Sequence, residues 1–502
     1  MTPTSASPSI TANSSDTTER WTPRLIGTLV ALMWPTQLLT LAAIISNNAA
    51  PGVAVHFRTT QIVWFTLITS VVATPLLPFV MKLGDRYGKR RVMLVMVGLG
   101  VVGDVLAAVA GNYGLLILGR GIAGFYGVFA ALSFPAVRDL FPSRLVRQAT
   151  SLLGASMGVI ALAGPFLAGR LITGLSFRPA LWFIAIGTAV AFVMVLALVP
   201  ETPRHDLESG FDWVGAIALS AGLAALVYAL GQGQSWGWGS GKTVGWIAGA
   251  VVLLVAFAFV ERSAGHPILD PRLISRRPVA VAVTVAAIGQ AAALMMASFT
   301  VLLAVYPHIP GVSDGLGWSS MHNAQLGLSW NLCMILAGYL AGRLLRHSTP
   351  RLLWLTGLAL ATAGFGLMGA WHHTAPQLVL TQCLAQIGMG IVVATGPVLI
   401  LGSVSVREQG QASGAFQMLT YVFMSLISAV GFAILTAHSK VVQGTAFYLD
   451  AGYRLVLLGG AAILLVTLLV SLLAPSRTAQ ETDAAAEPAS AGPVGEAGEA
   501  LA

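Results

Sequence analysis

Asp104 and Arg120 are opposite charges standing inside apolar stretches of a 502-residue sequence. A charge in such a stretch is expensive, so its presence points to a functional role. Asp104 is the only carboxylate well inside an apolar stretch; Asp212 and Glu261 sit at ends. A short turn near residues 112–113 separates the two, with Asp104 eight or nine residues before it and Arg120 seven or eight after it. At 1.5 Å per helical residue both lie roughly 11–13 Å from the turn, at nearly one depth. The spacing therefore predicts an ion pair between consecutive antiparallel helices. A neighbouring Arg favours the ionised carboxylate while desolvation opposes it, so opening and closing such a pair would load and release a proton. The plain alternative is a static structural pair.

Other motifs fail on context. Gly98-Leu99-Gly100-Val101-Val102-Gly103 has the spacing of a dinucleotide loop, but that loop must link a strand to a helix in water, and here it sits mid-stretch. Gly154-Ala155-Ser156-Met157-Gly158 has the spacing of a nucleophile elbow, without an acid–His pair to activate the Ser. Gly237 to Thr243 is one residue short of a phosphate-binding loop. Recurrent glycine is instead what closely packed membrane helices use. Cys333 and Cys383 lack metal or disulfide spacing, His308, His322, His372 and His373 fall at loops, and no HExxH occurs. Neither a metal nor a cofactor is expected, and ATP-driven work would need a separate subunit.

The elements that must hold these residues follow from composition. Hydrophobic residues make up 56% of the chain and charged residues 9%, against roughly 25% charged in soluble domains. A spanning helix needs about 20 apolar residues to cross a core about 30 Å thick, and lipid satisfies no bare N–H or C=O. Fourteen windows qualify: 25–46, 61–80, 92–111, 115–137, 149–172, 180–199, 212–231, 244–261, 279–306, 324–344, 352–371, 378–401, 412–437 and 453–474. The expectation is an all-α polytopic membrane protein. With the N-terminus in the cytoplasm, 20 of the 27 Lys and Arg fall in cytoplasmic segments, five fall outside and two lie within spans. The positive-inside rule therefore places both termini in the cytoplasm. That distribution explains the formal net charge of +8 without nucleic acid. Residues 1–24 and 475–502 read as disordered cytoplasmic tails, and the first of them lacks the basic start and apolar core of a signal peptide.

Between the second and third windows the chain runs Lys82-Leu83-Gly84-Asp85-Arg86-Tyr87-Gly88-Lys89-Arg90-Arg91. This resembles the loop motif G-x-L-x-D-R-x-G-R-R-R of the major facilitator superfamily, with Met81 at its opening Gly. The resemblance implies a gate in which Asp85 accepts bonds from an Arg or a helix N-terminus, Gly88 permits a tight turn, and Arg86, Lys89 and Arg90 anchor at the inner surface. Gly164-Pro165-Phe166-Leu167-Ala168-Gly169 resembles the antiporter motif G-P-x-x-G-G of drug-efflux members, with Ala168 for the first final glycine. It implies a bent, sliding fifth span built on Gly164, Pro165 and Gly169. Arg120-Gly121-Ile122-Ala123-Gly124 is similar to R-x-x-Q-G, with Ala123 for Gln. Phe211-Asp212-Trp213-Val214-Gly215, His266-Pro267-Ile268-Leu269-Asp270 and Gly410-Gln411-Ala412-Ser413-Gly414 resemble the fourteen-helix drug:proton antiporter branch. Gly338-Tyr339-Leu340-Ala341-Gly342-Arg343 is a weak echo of the loop motif, with Gly342 where Asp would stand. The family fold implied is two six-helix bundles, 25–199 and 279–474, with two extra helices in 200–278. In the first span the branch carries an Asp about nine residues before a Pro; aligned on Pro51, that position is Ala42.

Substrate is expected between bundles near the midplane. Polar or adaptable residues within the windows nominate the path: Gln37 and Asn47, then Gln290, Met295, Met296 and Phe299, then Asn331, then Gln417 and Tyr421. Met and aromatic side chains offer an adaptable wall. The reading that follows is a bacterial inner-membrane transporter exchanging small amphipathic molecules or drugs for protons. An importer or facilitator, and an intramembrane enzyme or receptor, are the alternatives. The partners implied are the small-molecule substrate, protons and the bilayer, with no nucleic acid; no periplasmic adaptor is named by the sequence.

Overall fold

The computed structural model describes residues 21–173, 176–202, 212–263, 276–401, 404 and 409–473. The expectations for the tails, for Phe211 and for His266-Pro267-Ile268-Leu269-Asp270 lie outside these residues, as do the side chains of Lys82, Arg147, Arg277, Gly410 and Gln411.

Among the described residues fourteen helical segments follow one another: α1 Pro23–Phe57, α2 Val63–Tyr87, α3 Lys89–Val109, α4 Tyr113–Leu140, α5 Ser143–Thr173, α6 Phe177–Leu198, α7 Trp213–Trp236, α8 Gly241–Ser263, α9 Arg277–Val305, α10 Ser320–Leu344, α11 Pro350–Ala370, α12 Ala375–Leu401, α13 Gln409–Ala437 and α14 Asp450–Leu473. Thirteen are long and apolar enough to cross a membrane; the remaining one, α2, has 25 residues and an apolar stretch at Val63–Ala73. Each window of the sequence has its helix.

Three details depart from the windows. Helix α1 runs on through Pro51 to Phe57, because Asn48, Ala49, Ala50, Val53 and Ala54 are all buried and packing holds the extra turns. Helix α4 is interrupted by a tighter 3₁₀ turn at Gly124–Val128. There a Cβ on Gly124 would lie 2.9 Å from the Thr69 carbonyl oxygen, so α4 presses backbone to backbone on α2. The segments 308–314 and 439–448 form two short antiparallel hairpins, β1–β2 (His308–Ile309 with Ser313–Asp314) and β3–β4 (Ser439–Val442 with Thr445–Tyr448).

Helices α1–α6 pack as one bundle and α9–α14 as a second. In each, the third and fourth helices meet at small residues. A Cβ on Gly103 would collide with the Ala123 backbone, and one on Gly119 with Ala107. Likewise Gly364 lies against Ala385, and Gly388 against Ala361. Lipid supplies no hydrophobic drive between helices, so close backbone approach must hold them. This gives the dinucleotide-like run its purpose: Gly100 sits on Tyr126 and Thr188, and Gly103 on α4. The phosphate-loop look-alike is the α7–α8 turn, where Gly237 has φ 87° and Ser240 accepts from the Thr243 N–H at 3.2 Å.

The bundles meet along two broad seams, α5 against α10 and α2 against α13, and more narrowly at α1 against α9. Helix α7 lies along the second seam, with Val227 packed among Trp64, Leu67 and Val71 of α2 and Ala429 of α13. Helix α8 packs behind α7 and is largely exposed, with 11% of its apolar window buried.

At the end opposite the 82–91 loop the hairpins close over the bundles. Thr445 Oγ1 donates to the Ala54 carbonyl at 3.3 Å, Lys440 Nζ to Gly311 at 2.7 Å, and the Asp450 N–H to Asp314 at 2.9 Å. His372 Nε2 lies 2.8 Å from Asp450 Oδ1, and the buried phenols of Tyr306, Tyr448 and Tyr453 stack beside them.

Candidate substrate cavity between the bundles

A cavity of about 560 Å³ lies between the bundles. Helices α1, α2, α4 and α5, with Asp104 of α3 and Ile184 of α6, form one wall, and α9, α10, α12 and α13 the other. The wall is mostly apolar and aromatic, with Met157, Met295, Met424, Phe299, Phe432 and Trp330 facing in. A cleft of this size and mixture suits a small amphipathic molecule.

Asp104 and Arg120 both reach this cavity, at 4% and 5% exposure. Gly103 and Gly119 explain their common depth, since the backbones touch one residue before each charge. The predicted direct ion pair is not made. Thr188 Oγ1 donates to Asp104 Oδ2 at 2.7 Å, while Arg120 Nη2 donates to Ser46 Oγ at 2.9 Å and its guanidinium lies 5.2 Å from the Phe65 ring. The physical reason is competition: α1 and α6 each offer a hydroxyl in place, so each charge is held by its own partner. Arg120 Nε is buried without a hydrogen-bond partner. Ala42, at the position where the resemblance looks for an Asp, lines the same cavity. Among the described residues Asp104 is therefore the only carboxylate on its wall.

Of the nominated path residues, Asn47, Met295, Phe299, Asn331 and Tyr421 lie on the cavity wall. The other four do not. Gln37 turns to α5 and donates to Leu153 O at 3.2 Å and Ser156 Oγ at 2.6 Å. Met296 is one residue, about 100° of helical turn, from Met295, and packs on Gly460 of α14. Gln417 is exposed and Gln290 half-buried, both away from the cavity. Type alone selected these residues, and the helix face decided against them.

Sequence reasoning missed Asn48, Asn323, Gln382, Gln386, Ser425 and Ser428, all on the wall and all buried. A signal existed in the pair Gln382 and Gln386, two amides one turn apart on one face of an apolar window.

The antiporter-like motif serves two interfaces. A Cβ on Gly164 would meet Ile44 at 2.9 Å inside the first bundle, and one on Gly169 the Met321 backbone at 2.9 Å in the second. Pro165 stands between them on the cavity wall.

At the far end of the first bundle, the 82–91 segment makes the expected tight turn, with Gly88 at φ 94°. Where the resemblance implied an Arg or a helix N-terminus for Asp85, the described side chains pair it with Lys89, one helical turn on. Lys89 Nζ lies 3.1 Å from Asp85 and 2.7 Å from Asp139 at the end of α4. The Lys89 side chain is 4% exposed, so two carboxylates compensate a buried charge. Its N–H donates to Thr202 Oγ1 at 2.8 Å, Arg90 Nη2 donates to the Leu196 carbonyl at 2.6 Å, and Arg91 pairs with Glu201 at 3.4 Å. Arg86, exposed, lies over the Tyr87 ring. The motif ties the α2–α3 turn to α4 and α6.

A family model for the Major Facilitator Superfamily matches residues 25–426. The chain is 28% identical to a probable actinorhodin transporter of Streptomyces coelicolor over 80% of this chain and 69% of that one. It is 27% identical to the puromycin resistance protein pur8 of Streptomyces alboniger, over 92% and 94%, and 24% identical to the multidrug transporter protein MdtP of Bacillus subtilis, over 76% and 69%. Among solved structures, a POT family transporter in complex with 5-aminolevulinic acid has the same fold at TM-score 0.65 and 15% identity, covering 90% of this chain and 96% of that one. The nucleoside transporter NupG has it at 0.62 and 12%, over 91% and 100%. The chain belongs to the Major Facilitator Superfamily, and it is a multi-pass membrane transporter of small molecules, not an enzyme.

Proposed function

We propose that this protein is a secondary active exporter that exchanges small amphipathic molecules for protons across a bacterial inner membrane, with both termini cytoplasmic. One observation carries the reading. Two opposite charges open onto a mostly apolar cavity between two bundles, each held by a single hydroxyl rather than by the other. A carboxylate so held can take a proton without first breaking a direct ion pair, and Arg120, one residue past the same close helix crossing, stands to feel the change of charge. Bundles 25–199 and 279–474 rock about the cavity, Gly169 gives the sliding surface, and Asp85, Lys89 and Asp139 lock the cytoplasmic end of the first bundle. Relatives named for actinorhodin, puromycin resistance and multidrug transport support a drug-like cargo.

Proteoliposomes loaded with a pH-sensitive dye test the coupling. Addition of a transported compound from a drug panel moves protons in the opposite direction through the wild type, and Asp104→Asn binds the compound without moving protons. Unchanged proton flux in Asp104→Asn rules Asp104 out, and transport without proton movement in the wild type rules out exchange.

A further inference from the structure

Among the described residues, the wall that the second bundle contributes to the cavity carries no charged side chain. Asn323 of α10, Gln382 and Gln386 of α12, and Ser425 of α13 line it instead. They are 4%, 2%, 4% and 1% exposed. The carboxamide oxygens of all three amides and the Ser425 hydroxyl are buried with no hydrogen-bond partner. Leaving one such group unmade costs as much as a good hydrogen bond is worth, and four on three helices is a concentrated cost at one place. Turning an amide end for end does not remove it, because either end then needs a partner.

The cluster stands where the first bundle keeps its charges. Gln386 follows Ala385 at the small-residue crossing of α11 on α12, as Arg120 follows Gly119 at the crossing of α3 on α4. One backbone arrangement thus presents a guanidinium to the cavity from one side and a carboxamide from the other. Trp330, Phe299 and Phe432 line the same cavity with flat apolar surface.

We propose that Asn323, Gln382, Gln386 and Ser425 form a neutral hydrogen-bonding subsite that takes the uncharged hydroxyl- or amide-bearing part of a ring-containing solute. The inference rests on the reading of this cavity as the transport site. An amide offers both donors and an acceptor, so it matches groups that do the same: sugar hydroxyls, carboxamides, imides. A fixed charge on that half of the solute finds no counter-charge there. A site built around such bonds rejects an analogue that lacks them far more strongly than an apolar pocket rejects an extra methyl.

A matched pair of neutral probes tests this: 4-methylumbelliferyl β-D-glucoside and its tetra-O-methyl ether, measured by equilibrium dialysis on the full chain in lipid nanodiscs. The wild type binds the glucoside at least about tenfold more tightly than the ether, the discrimination one or two well-made hydrogen bonds give. In Gln382→Leu/Gln386→Leu that ratio collapses toward one. The double variant keeps its Tm, because two unpaired amides have been replaced by apolar groups; a merely structural role for them would lower it. Equal binding of the two probes by the wild type, binding of neither, or an unchanged ratio in the double variant overturns the proposal. Ser428→Cys, in a Cys333→Ala/Cys383→Ala background, separates this failure from that of the transport reading. Alkylation at 428, on the cavity wall, blocks the glucoside if the cavity is the site. Binding that survives alkylation overturns the cavity as the site, and blocked binding without discrimination overturns the subsite alone.

Discussion

The two bundles solve one packing problem and then part in chemistry. Both cross their third and fourth helices on Gly and Ala, so that backbones meet: Gly103 and Gly119 against Ala123 and Ala107 in one, Gly364 and Gly388 against Ala385 and Ala361 in the other. The residue after the crossing then differs. Arg120 answers Asp104 from the first bundle, and Gln386 with Gln382 faces them from the second. The lesson is that a close crossing needs only small residues, which leaves the neighbouring position free. A charge there costs several kcal/mol unless it is held, and the first bundle meets the cost with Thr188 and Ser46. The amides cost less and commit the second wall to no sign of charge.

The sharpest way to break the contrast is to move the charge. Asp104→Asn turns the first wall neutral but for Arg120, and proton exchange is expected to fall at least about a hundredfold, read by dye-loaded proteoliposomes. The next largest effect falls on the shared packing. Gly103→Leu and Gly388→Leu each drive a side chain into the facing backbone, and both lose roughly 1–3 kcal/mol or more, read as a fall in Tm of the detergent-purified protein. Equal losses would mark the crossings as equivalent; a loss in only one would end the comparison of packing.

The Lys89 cluster gives a smaller, graded effect. Asp85→Asn removes a half-exposed partner at 3.1 Å and costs under about 1 kcal/mol. Asp139→Asn removes the partner at 2.7 Å, itself 15% exposed, and costs more. The double variant strands a buried ammonium, and a loss of about 3–5 kcal/mol is expected, measured by thermal unfolding alongside initial transport rates. Wild-type rates in all three would mark the cluster as structural only. The smallest effect belongs to Gln417→Ala, at an exposed residue away from the cavity. Transport within about twofold of wild type is expected, and a tenfold loss would show that the path runs elsewhere.

The spans were legible because the bilayer enforces them: a run of about 20 apolar residues has no other economical place, and the basic residues cluster at alternate connections. The depth of Asp104 and Arg120 was legible from a short turn and a fixed rise. Their partners were not, since Ser46 and Thr188 come from helices 74 and 84 residues away in sequence. Facing was legible only where several residues spoke together. Met295 and Phe299 share a face one turn apart, whereas Met296 has the right chemistry and the wrong azimuth. The break in α4 was hidden because Gly124 and Gly127 read as ordinary small residues until Val72 and Ala73 are set against them. The amide cluster is hidden residue by residue, since only as a pair one turn apart do Gln382 and Gln386 mark a helix face.

The α7–α8 doublet makes the molecule one-sided in the plane of the membrane. On the α2–α13 flank, Leu219, Leu223 and Val227 of α7 cover the joint, and α8 stands behind with Val251, Val252, Val255 and Phe259 turned outward. The α5–α10 flank has no such shutter from the doublet. A molecule dissolved among the acyl chains therefore meets both helices of the doublet before the α2–α13 joint. If the bundles rock as proposed, α7 would act as a bearing strip, travelling with one bundle and shearing along the other. Leu219, Leu223 and Val227, the α7 side chains packed with the bundles, are the surface on which that shear would run.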